Sequence, residues 1–128
     1  MNPSRSPNLV SSFRNAFTGL RYALRTQRNA RIHLMVTLSV LGAGLWLGLT
    51  LEEWCLIVLS IGMVWMAELS NTAIENVVDL LSPEYHPLAK TAKDVKAGVV
   101  VVSSLSAVLV GLLILGPKLL LRLQALLQ

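Results

Sequence analysis

Charged residues are scarce in this chain. Aspartate, glutamate, lysine and arginine make up only 14% of its 128 residues, against about a quarter in typical soluble domains, while 54% of the residues are apolar. The mean hydropathy is +0.63. This composition excludes a large soluble multidomain protein and predicts a single membrane domain over residues 1–128.

The chain also lacks the motifs of several common site types. Cys55 is its only cysteine, so neither an intrachain disulfide nor a Cys/His zinc site is available. The sequence contains no GxxxxGK[ST] and no GxGxxG, which excludes the phosphate loops of Walker-type ATPases and of protein kinases. Any nucleotide site in this protein must be formed without these loops.

Long runs without charge predict the membrane spans. Residues 32–51 and 97–117 contain no charged side chain, and each run can cross about 30 Å of hydrocarbon at about 1.5 Å per residue. A shorter run begins at Trp54, and its helical pattern continues to Leu81, before Ser82-Pro83. We therefore expect an all-α integral membrane protein with three transmembrane helices, over residues 32–51, 54–81 and 97–117, and a cytoplasmic loop over 82–96.

Arginine and lysine residues predict the orientation of these spans. Residues 1–32 contain six arginines and no acidic residue, and Lys90, Lys93 and Lys96 precede the third span. Both regions are expected in the cytoplasm, because positive charge accumulates on that side of the membrane. The predicted topology has a cytoplasmic N-terminus and an external C-terminus.

The residues before the first span predict an amphipathic helix on the membrane surface, over residues 8–30. Apolar side chains fall on one face of this helix and arginines on its flank. The expected lipid or surface contacts are Arg21, Arg28 and Arg31. An arginine-rich segment that only orients the first span fits the pattern equally well, and residues 1–7 are expected to form a disordered tail.

Glu68 is an acidic residue at membrane depth. With Trp54 at the outer surface, Glu68 lies about 21 Å deeper in the second span, and Glu75 lies about 32 Å away, at the cytoplasmic interface. A carboxyl group inside hydrocarbon is costly and marks a functional site, although a glutamate hydrogen-bonded to a neighbouring helix gives the same pattern. Helical spacing continues the polar stripe through Glu68, Asn71, Thr72, Glu75 and Asp79.

The predicted cytoplasmic loop adds polar residues at the same side of the membrane. Carboxylates beside lysines in such a place suit Mg²⁺ and a polyphosphate, since Mg²⁺ commonly takes one or two protein carboxylates plus phosphate oxygens. The residues concerned are Glu84, His86, Lys90, Lys93 and Asp94. Their spacing indicates a phosphate site.

Two stretches of sequence carry a specific resemblance. The run E-L-S-N-T-A-I-E-N-V-V-D (68–79) and the run E-Y-H-P-L-A-K-T-A-K-D (84–94) strongly resemble the prokaryotic diacylglycerol kinase family of small integral-membrane lipid kinases. The resemblance extends more loosely over most of residues 13–116. Within the family, R-N-A-R-I-H (28–33) and H-P-L-A-K-T-A-K-D (86–94) look most similar to the undecaprenol kinase branch.

The resemblance implies roles for individual residues. It places a general base at Glu68 with Asn71 beside it in the active site, and a metal-binding carboxylate at Glu75. The implied nucleotide contacts are Glu75, Glu84, Tyr85, His86, Lys93 and Asp94, with Asp79 as a neighbouring acid. Family members commonly have a second glutamate where this chain has Gln27, so a second metal carboxylate is in doubt here, and Gln27 offers at most a neutral carbonyl ligand.

The resemblance also implies an activity and its partners. It predicts ATP-dependent, Mg²⁺-requiring phosphorylation of a membrane lipid alcohol, undecaprenol or diacylglycerol, for lipid recycling in the bacterial inner membrane. The chain is too small to enclose both sites alone, and the resemblance implies a homotrimer with active sites shared between subunits. No nucleic-acid partner is expected. The alternative is a non-catalytic membrane adaptor or proton-relay subunit that uses Glu68.

Overall fold

The computed structural model describes residues 8–127. Within that range every regular element is an α-helix, and no β-strand occurs. The elements are α1 (Leu9–Thr26), α2 (Arg28–Leu47), α3 (Leu51–Leu81) and α4 (Pro87–Leu126). The predicted all-α class is confirmed, whereas the predicted tail over residues 1–7 lies outside the described residues.

Three of these helices are long and apolar enough to cross a membrane. They are α2 with 20 residues, α3 with 31 and α4 with 40. Large apolar side chains cover their outer surfaces, including Leu38 of α2, Leu59 of α3 and Leu112 of α4, which are all more than half exposed. Such surfaces suit contact with lipid, and the predicted arrangement of one amphipathic helix and three membrane helices is confirmed.

The joint between α1 and α2 corrects a predicted boundary. The surface helix was expected to run over residues 8–30, but α1 ends at Thr26 because Gln27 has an extended backbone (φ −103°, ψ 121°). A second helix then begins at Arg28, four residues before the predicted start of the first span. At the other end of α1, the Asn8 side chain accepts a hydrogen bond from the Ser11 N–H, which caps the helix.

The turn between α2 and α3 is closely packed. Gly48 ends α2 in the left-handed conformation (φ 69°), which favours glycine. Thr50 and Glu53 form a capping box at the start of α3, with reciprocal bonds of 2.7 and 3.3 Å. Lys118 of α4 lies 3.0 Å from Glu53 and ties the third span to this turn.

The connection between α3 and α4 differs most from expectation. The predicted loop over residues 82–96 is wrong, because α4 already begins at Pro87 and only residues 82–86 connect the two helices. His86 caps α4 by accepting the Leu88 N–H at its Nδ1, and proline is well suited to the first helical position. The helix also continues past Pro117, the predicted end of the third span.

Helices α3 and α4 pack against each other more extensively than any other pair in the described part of the chain. Their ion pairs, Asp79 with Lys93 and Glu75 with Lys96, fix an antiparallel register. The charged N-terminal part of α4 therefore lies along the polar residues Glu75 and Asp79 of α3. The sequence pattern did not indicate this register, which positions the site.

Candidate active site

Glu68 is the deepest polar group of the site. It is fully buried and is the largest side chain with so little exposure among residues 8–127. Neither of its carboxylate oxygens has a hydrogen-bond partner within the described residues. A buried carboxyl group without a partner costs several kcal/mol by order of magnitude, so folding alone gives no reason to keep it there.

His33 of α2 is the side chain that comes nearest to offering Glu68 a partner. Its Nε2 lies 3.9 Å from Glu68 Oε2, beyond hydrogen-bonding distance but within the range of an ion pair. The His33 side chain is 17% exposed, whereas that of Glu68 is 1% exposed. The imidazole is therefore partly exposed, whereas the carboxyl group beside it is buried.

A polar row follows Glu68 along α3. Asn71, Glu75 and Asp79 come at intervals of three and four residues and share one helix face, as the spacing predicted. In the structure this face contacts Lys93 and Lys96 of α4. Buried Thr72 donates a hydrogen bond to the Glu68 carbonyl at 3.0 Å. The row rises by about 16 Å from Glu68 to Asp79, which is the direction from the buried interior of the bundle toward the α3–α4 connection.

Lys96 of α4 joins two members of this row. Its ammonium group donates to Asn71 Oδ1 at 3.0 Å and lies 3.5 Å from Glu75 Oε2. The side chain is only 8% exposed. In the sequence Lys96 served only as a marker of topology. Its spacing of three residues from Lys93 places both lysines on one helix face, but this signal was not used because residues 82–96 were expected to form a loop.

A cavity of about 530 Å³ lies where α3 meets α4. This volume is in the range of small-molecule sites. All five nucleotide contacts implied for the α3–α4 connection and the start of α4 line it, namely Glu84, Tyr85, His86, Lys93 and Asp94, together with Asp79 and Lys90. Glu75, the sixth implied contact, lies deeper along α3 and is not part of the lining.

The lysines of this cavity are held by exposed acids. Asp79 Oδ1 accepts a hydrogen bond of 2.6 Å from Lys93, which raises the pKa of that lysine, and Asp94 does the same for Lys90 at 2.9 Å. All four side chains are more than 40% exposed, so these pairs are weak. A phosphate group is therefore able to displace the carboxylates from lysines that remain charged.

The remaining predicted site residues lie on α1, on α2 and at the joint between these helices. Gln27 is half-buried at the joint between α1 and α2, and its side chain forms no cap. Arg21, Arg28 and Arg31 are exposed, as lipid contacts must be. Tyr22 was not among the predicted site residues, yet its hydroxyl donates to Asn76 Oδ1 at 3.3 Å and ties α1 to α3 beside Glu75.

A second cavity, of about 290 Å³, lies between α2 and α4. His33 lines it together with Asn29 and Ser104, and the remaining lining side chains are apolar: Ile32, Val100, Val101 and Leu105. Ser104 Oγ is buried and has no hydrogen-bond partner within residues 8–127. This cavity combines apolar walls with a few hydroxyl, amide and imidazole groups, which suits the polar end of a lipid.

The residues present fit Mg²⁺ only in the company of a phosphate. The described part of the chain contains no group of three or more His, Cys, Asp or Glu side chains able to hold a metal ion. Glu75 is a single carboxylate with a side chain that is 34% exposed. One carboxylate plus phosphate oxygens is a common environment for Mg²⁺, so Glu75 suits an ion delivered with a nucleotide.

Comparison with known proteins decides the family. The model of the prokaryotic diacylglycerol kinase family matches residues 14–115. The chain belongs to this family. The family resemblance predicted from residues 68–79 and 84–94 is confirmed, and so are the expected classes of membrane protein and lipid kinase.

Individual relatives carry two different names. An undecaprenol kinase of Bacillus subtilis is 44% identical over 84% of this chain and 88% of its own length. A diacylglycerol kinase of Synechocystis sp. is 45% identical over 90% of this chain, which spans 66% of that relative. The diacylglycerol kinase of Escherichia coli K12 is 28% identical over 84% of this chain and 88% of its own. Identity therefore does not separate the two lipids.

Proposed function

We propose that this member of the family transfers the γ-phosphate of ATP to the hydroxyl group of a membrane lipid, with undecaprenol favoured over diacylglycerol. One observation carries the proposal. Glu68, a fully buried carboxyl group of α3, and a cavity of about 530 Å³ at the C-terminal end of the same helix are joined by a continuous polar row. In the proposal, the lipid alcohol reacts at Glu68 and the nucleotide occupies the cavity.

The polar row has the length and charge to guide a triphosphate. The nucleoside would occupy the cavity at Tyr85 and His86, and Lys93 would draw the phosphates toward α3. Glu75 lies about 10 Å from Glu68 along the helix axis, and Asn71 lies between them. The terminal phosphate would thus approach the buried carboxyl group with its charge partly neutralised by lysine.

Glu68 would accept the proton of the lipid hydroxyl as that oxygen forms its bond to phosphorus. The bond between the γ-phosphorus and the bridging oxygen breaks, and ADP leaves with that oxygen. Positioning and electrostatic stabilisation supply most of the rate in such reactions. Glu75, with a neutral carbonyl from Gln27, would hold Mg²⁺, which when bound offsets the charge of the β- and γ-phosphate oxygens.

Several parts of the proposal concern the surroundings of the site. The two cavities are open in a single chain, so the proposal includes a homotrimer with shared sites, as the family resemblance implies. Arginine at the start of the chain supports a cytoplasmic N-terminus and an external C-terminus in the bacterial inner membrane. Rephosphorylation of a lipid alcohol there would serve lipid recycling.

A kinase assay in mixed micelles tests the proposal. Radiolabelled ATP is offered with undecaprenol and diacylglycerol, and label is followed into lipid. The wild-type protein should label lipid, and Glu68→Gln should lower turnover by about 10²-fold or more. Glu52→Gln, a change at an exposed glutamate of the same helix, is the matched control. Absence of labelled lipid with the wild-type protein would favour the adaptor or relay alternative.

A further inference from the structure

Lys96 is a buried cation that the proposed function leaves without a task. Its ammonium group contacts Asn71 at 3.0 Å and Glu75 at 3.5 Å, deeper in the polar row than Lys93. Lysine is almost never this buried unless it is paired. Its acidic partner is Glu75, the carboxylate that would hold Mg²⁺. The position of Lys96 therefore needs a functional explanation.

The three lysines at the start of α4 differ in their surroundings. Lys90 and Lys93 are exposed, and each pairs with an aspartate at the cavity between α3 and α4. Lys96 is 8% exposed and pairs with a glutamate that is itself only 34% exposed. An ammonium group has three donors, and Asn71 accepts one of them, whereas Glu75 is an ion-pair partner at 3.5 Å. Donor capacity therefore remains for an oxygen atom that enters the row.

Lys96 and a metal ion would compete for the Glu75 carboxylate. A cation 3.5 Å from the carboxylate partly neutralises it and occupies one side of it. A free divalent ion must displace that ammonium group, and Gln27 adds no negative charge to help. A nucleotide changes the balance, because its phosphate oxygens bring negative charge for Lys96 and ligands for the metal at once.

We propose that Lys96 is a phosphate-binding residue that alternates between two anions. Without nucleotide it neutralises Glu75 and suppresses the binding of free metal. When a metal–nucleotide complex binds, the ammonium group moves from Glu75 to a phosphate oxygen, and Glu75 becomes free for the metal. The enzyme thereby accepts metal with nucleotide rather than metal alone. This inference rests on the proposed kinase function and extends it to the order in which ligands are accepted.

Manganese binding tests the first half of the proposal without any enzyme reaction. The full chain in detergent micelles is titrated with Mn²⁺ in the absence of nucleotide, and free Mn²⁺ is measured by electron paramagnetic resonance. Lys96→Met removes the competing charge and should strengthen Mn²⁺ binding by roughly tenfold. Glu75→Gln in the Lys96→Met background should abolish that gain, which assigns the bound ion to Glu75.

Kinetics with the metal–nucleotide complex test the second half. Lys96→Met should raise the KM for MgATP by roughly tenfold and leave the KM for lipid unchanged, because only the phosphate contact is lost. Lys118→Met is the matched control, since Lys118 is also a part-buried lysine paired with a glutamate but lies at the opposite end of the bundle. It should change neither Mn²⁺ affinity nor either KM.

A purely structural role gives a different result. If Lys96 only ties α4 to α3, Lys96→Met lowers thermal stability while Mn²⁺ affinity and the KM for MgATP stay at wild-type values, and the proposal is overturned. Should the methionine variant fail to fold, Lys96→Gln retains a donor for Asn71 without the charge, and the same values decide. Absence of lipid labelling by the wild-type protein would instead contradict the kinase function, independently of the Mn²⁺ titration.

Discussion

His33 Nε2 lies 3.9 Å from Oε2 of the fully buried Glu68, and the two side chains belong to different membrane helices. A buried carboxylate needs a compensating charge, and an imidazole is able to supply one by taking a proton. The general base proposed for this enzyme therefore has His33 as its neighbour within ion-pairing distance. No other described Lys, Arg or His side chain lies within ion-pairing distance of Glu68.

Replacing His33 should slow the reaction through Glu68. We expect His33→Gln to lower kcat by about tenfold or more and to leave the KM for ATP unchanged, because His33 is remote from the nucleotide cavity. In a Glu68→Gln background the same change should have little further effect, since His33 is expected to act through the Glu68 carboxylate. Additive losses in the double variant would mean that His33 acts independently of Glu68.

The identity of residue 27 should set the metal requirement. The family resemblance implies a glutamate at the position of Gln27, and within residues 8–127 no group of three or more acidic, histidine or cysteine side chains compensates for its absence. Gln27→Glu should lower the Mg²⁺ concentration that gives half-maximal activity by several-fold, because a carboxylate binds Mg²⁺ better than an amide. Gln27→Asn is the matched neutral control. An unchanged Mg²⁺ requirement in the glutamate variant would place this position outside the metal site.

The pair between Asp79 and Lys93 should be visible in a titration. The hydrogen bond that Lys93 donates to Asp79 raises the pKa of Lys93 above its ordinary value of 10.5. The small stabilisation that this pair contributes is therefore present below pH 10.5 and is lost as the pH rises through the raised pKa of Lys93. Asp79→Asn should move the Lys93 titration, followed by NMR of a carbon-13 label at Cε, to lower pH.

Asp94→Asn provides the control for this titration. It should lower the pKa of Lys90, which pairs with Asp94, and leave that of Lys93 in place. Both pairs are exposed, so neither change should alter thermal stability measurably near neutral pH. A Lys93 titration that is the same with and without Asp79 would contradict the observed contact.

Gly44 should be needed for the packing of the turn between α2 and α3. A Cβ atom at this position would lie 2.7 Å from the Trp54 ring and 2.9 Å from Leu49. Gly44→Ala should destabilise the fold by about 1–3 kcal/mol, because the rigid indole has to move. Gly42→Ala is the matched control on the same helix, since nothing lies within 4 Å of the added atom. Equal melting temperatures for the two variants would contradict the close contact.

Local patterns in the sequence account for most of the fold. Uncharged runs identify the three membrane helices, and spacings of three and four residues bring Glu68, Asn71, Glu75 and Asp79 onto one face of α3. The features that these patterns did not predict depend on helix capping and on contacts between helices. The helical start at Pro87 depends on the cap that His86 provides, and His86 had been assigned only to nucleotide binding.

Contacts between helices explain the remaining differences. Lys96 meets Glu75, Tyr22 meets Asn76, and His33 approaches Glu68 only because the helices pack in one particular register. Periodicity along one helix determines which residues share a face, but not which residues of another helix oppose them. The polar row was therefore predictable as a row, whereas its partners on α1, α2 and α4 were not.

The choice of lipid should depend on hydrogen-bond donors in the membrane-facing part of the site. Diacylglycerol presents ester carbonyls that accept hydrogen bonds, whereas undecaprenol presents only its hydroxyl group. A site made for the ester leaves buried donors unpaired when the polyprenol binds, at a cost of roughly 1–3 kcal/mol per group. Tyr22 is one donor that would suit an ester, but its hydroxyl is already bonded to Asn76.

The donors that remain favour the polyprenol. Ser104 Oγ lies buried beside His33 in the cavity between α2 and α4, and a single lipid hydroxyl is able to accept its hydrogen bond. The other walls of that cavity are mostly apolar. With both lipids at equal mole fraction in one micelle, we therefore expect a higher kcat/KM for undecaprenol, and Ser104→Ala should lower it. A higher kcat/KM for diacylglycerol would contradict the substrate assignment while leaving the proposed kinase chemistry at Glu68 intact.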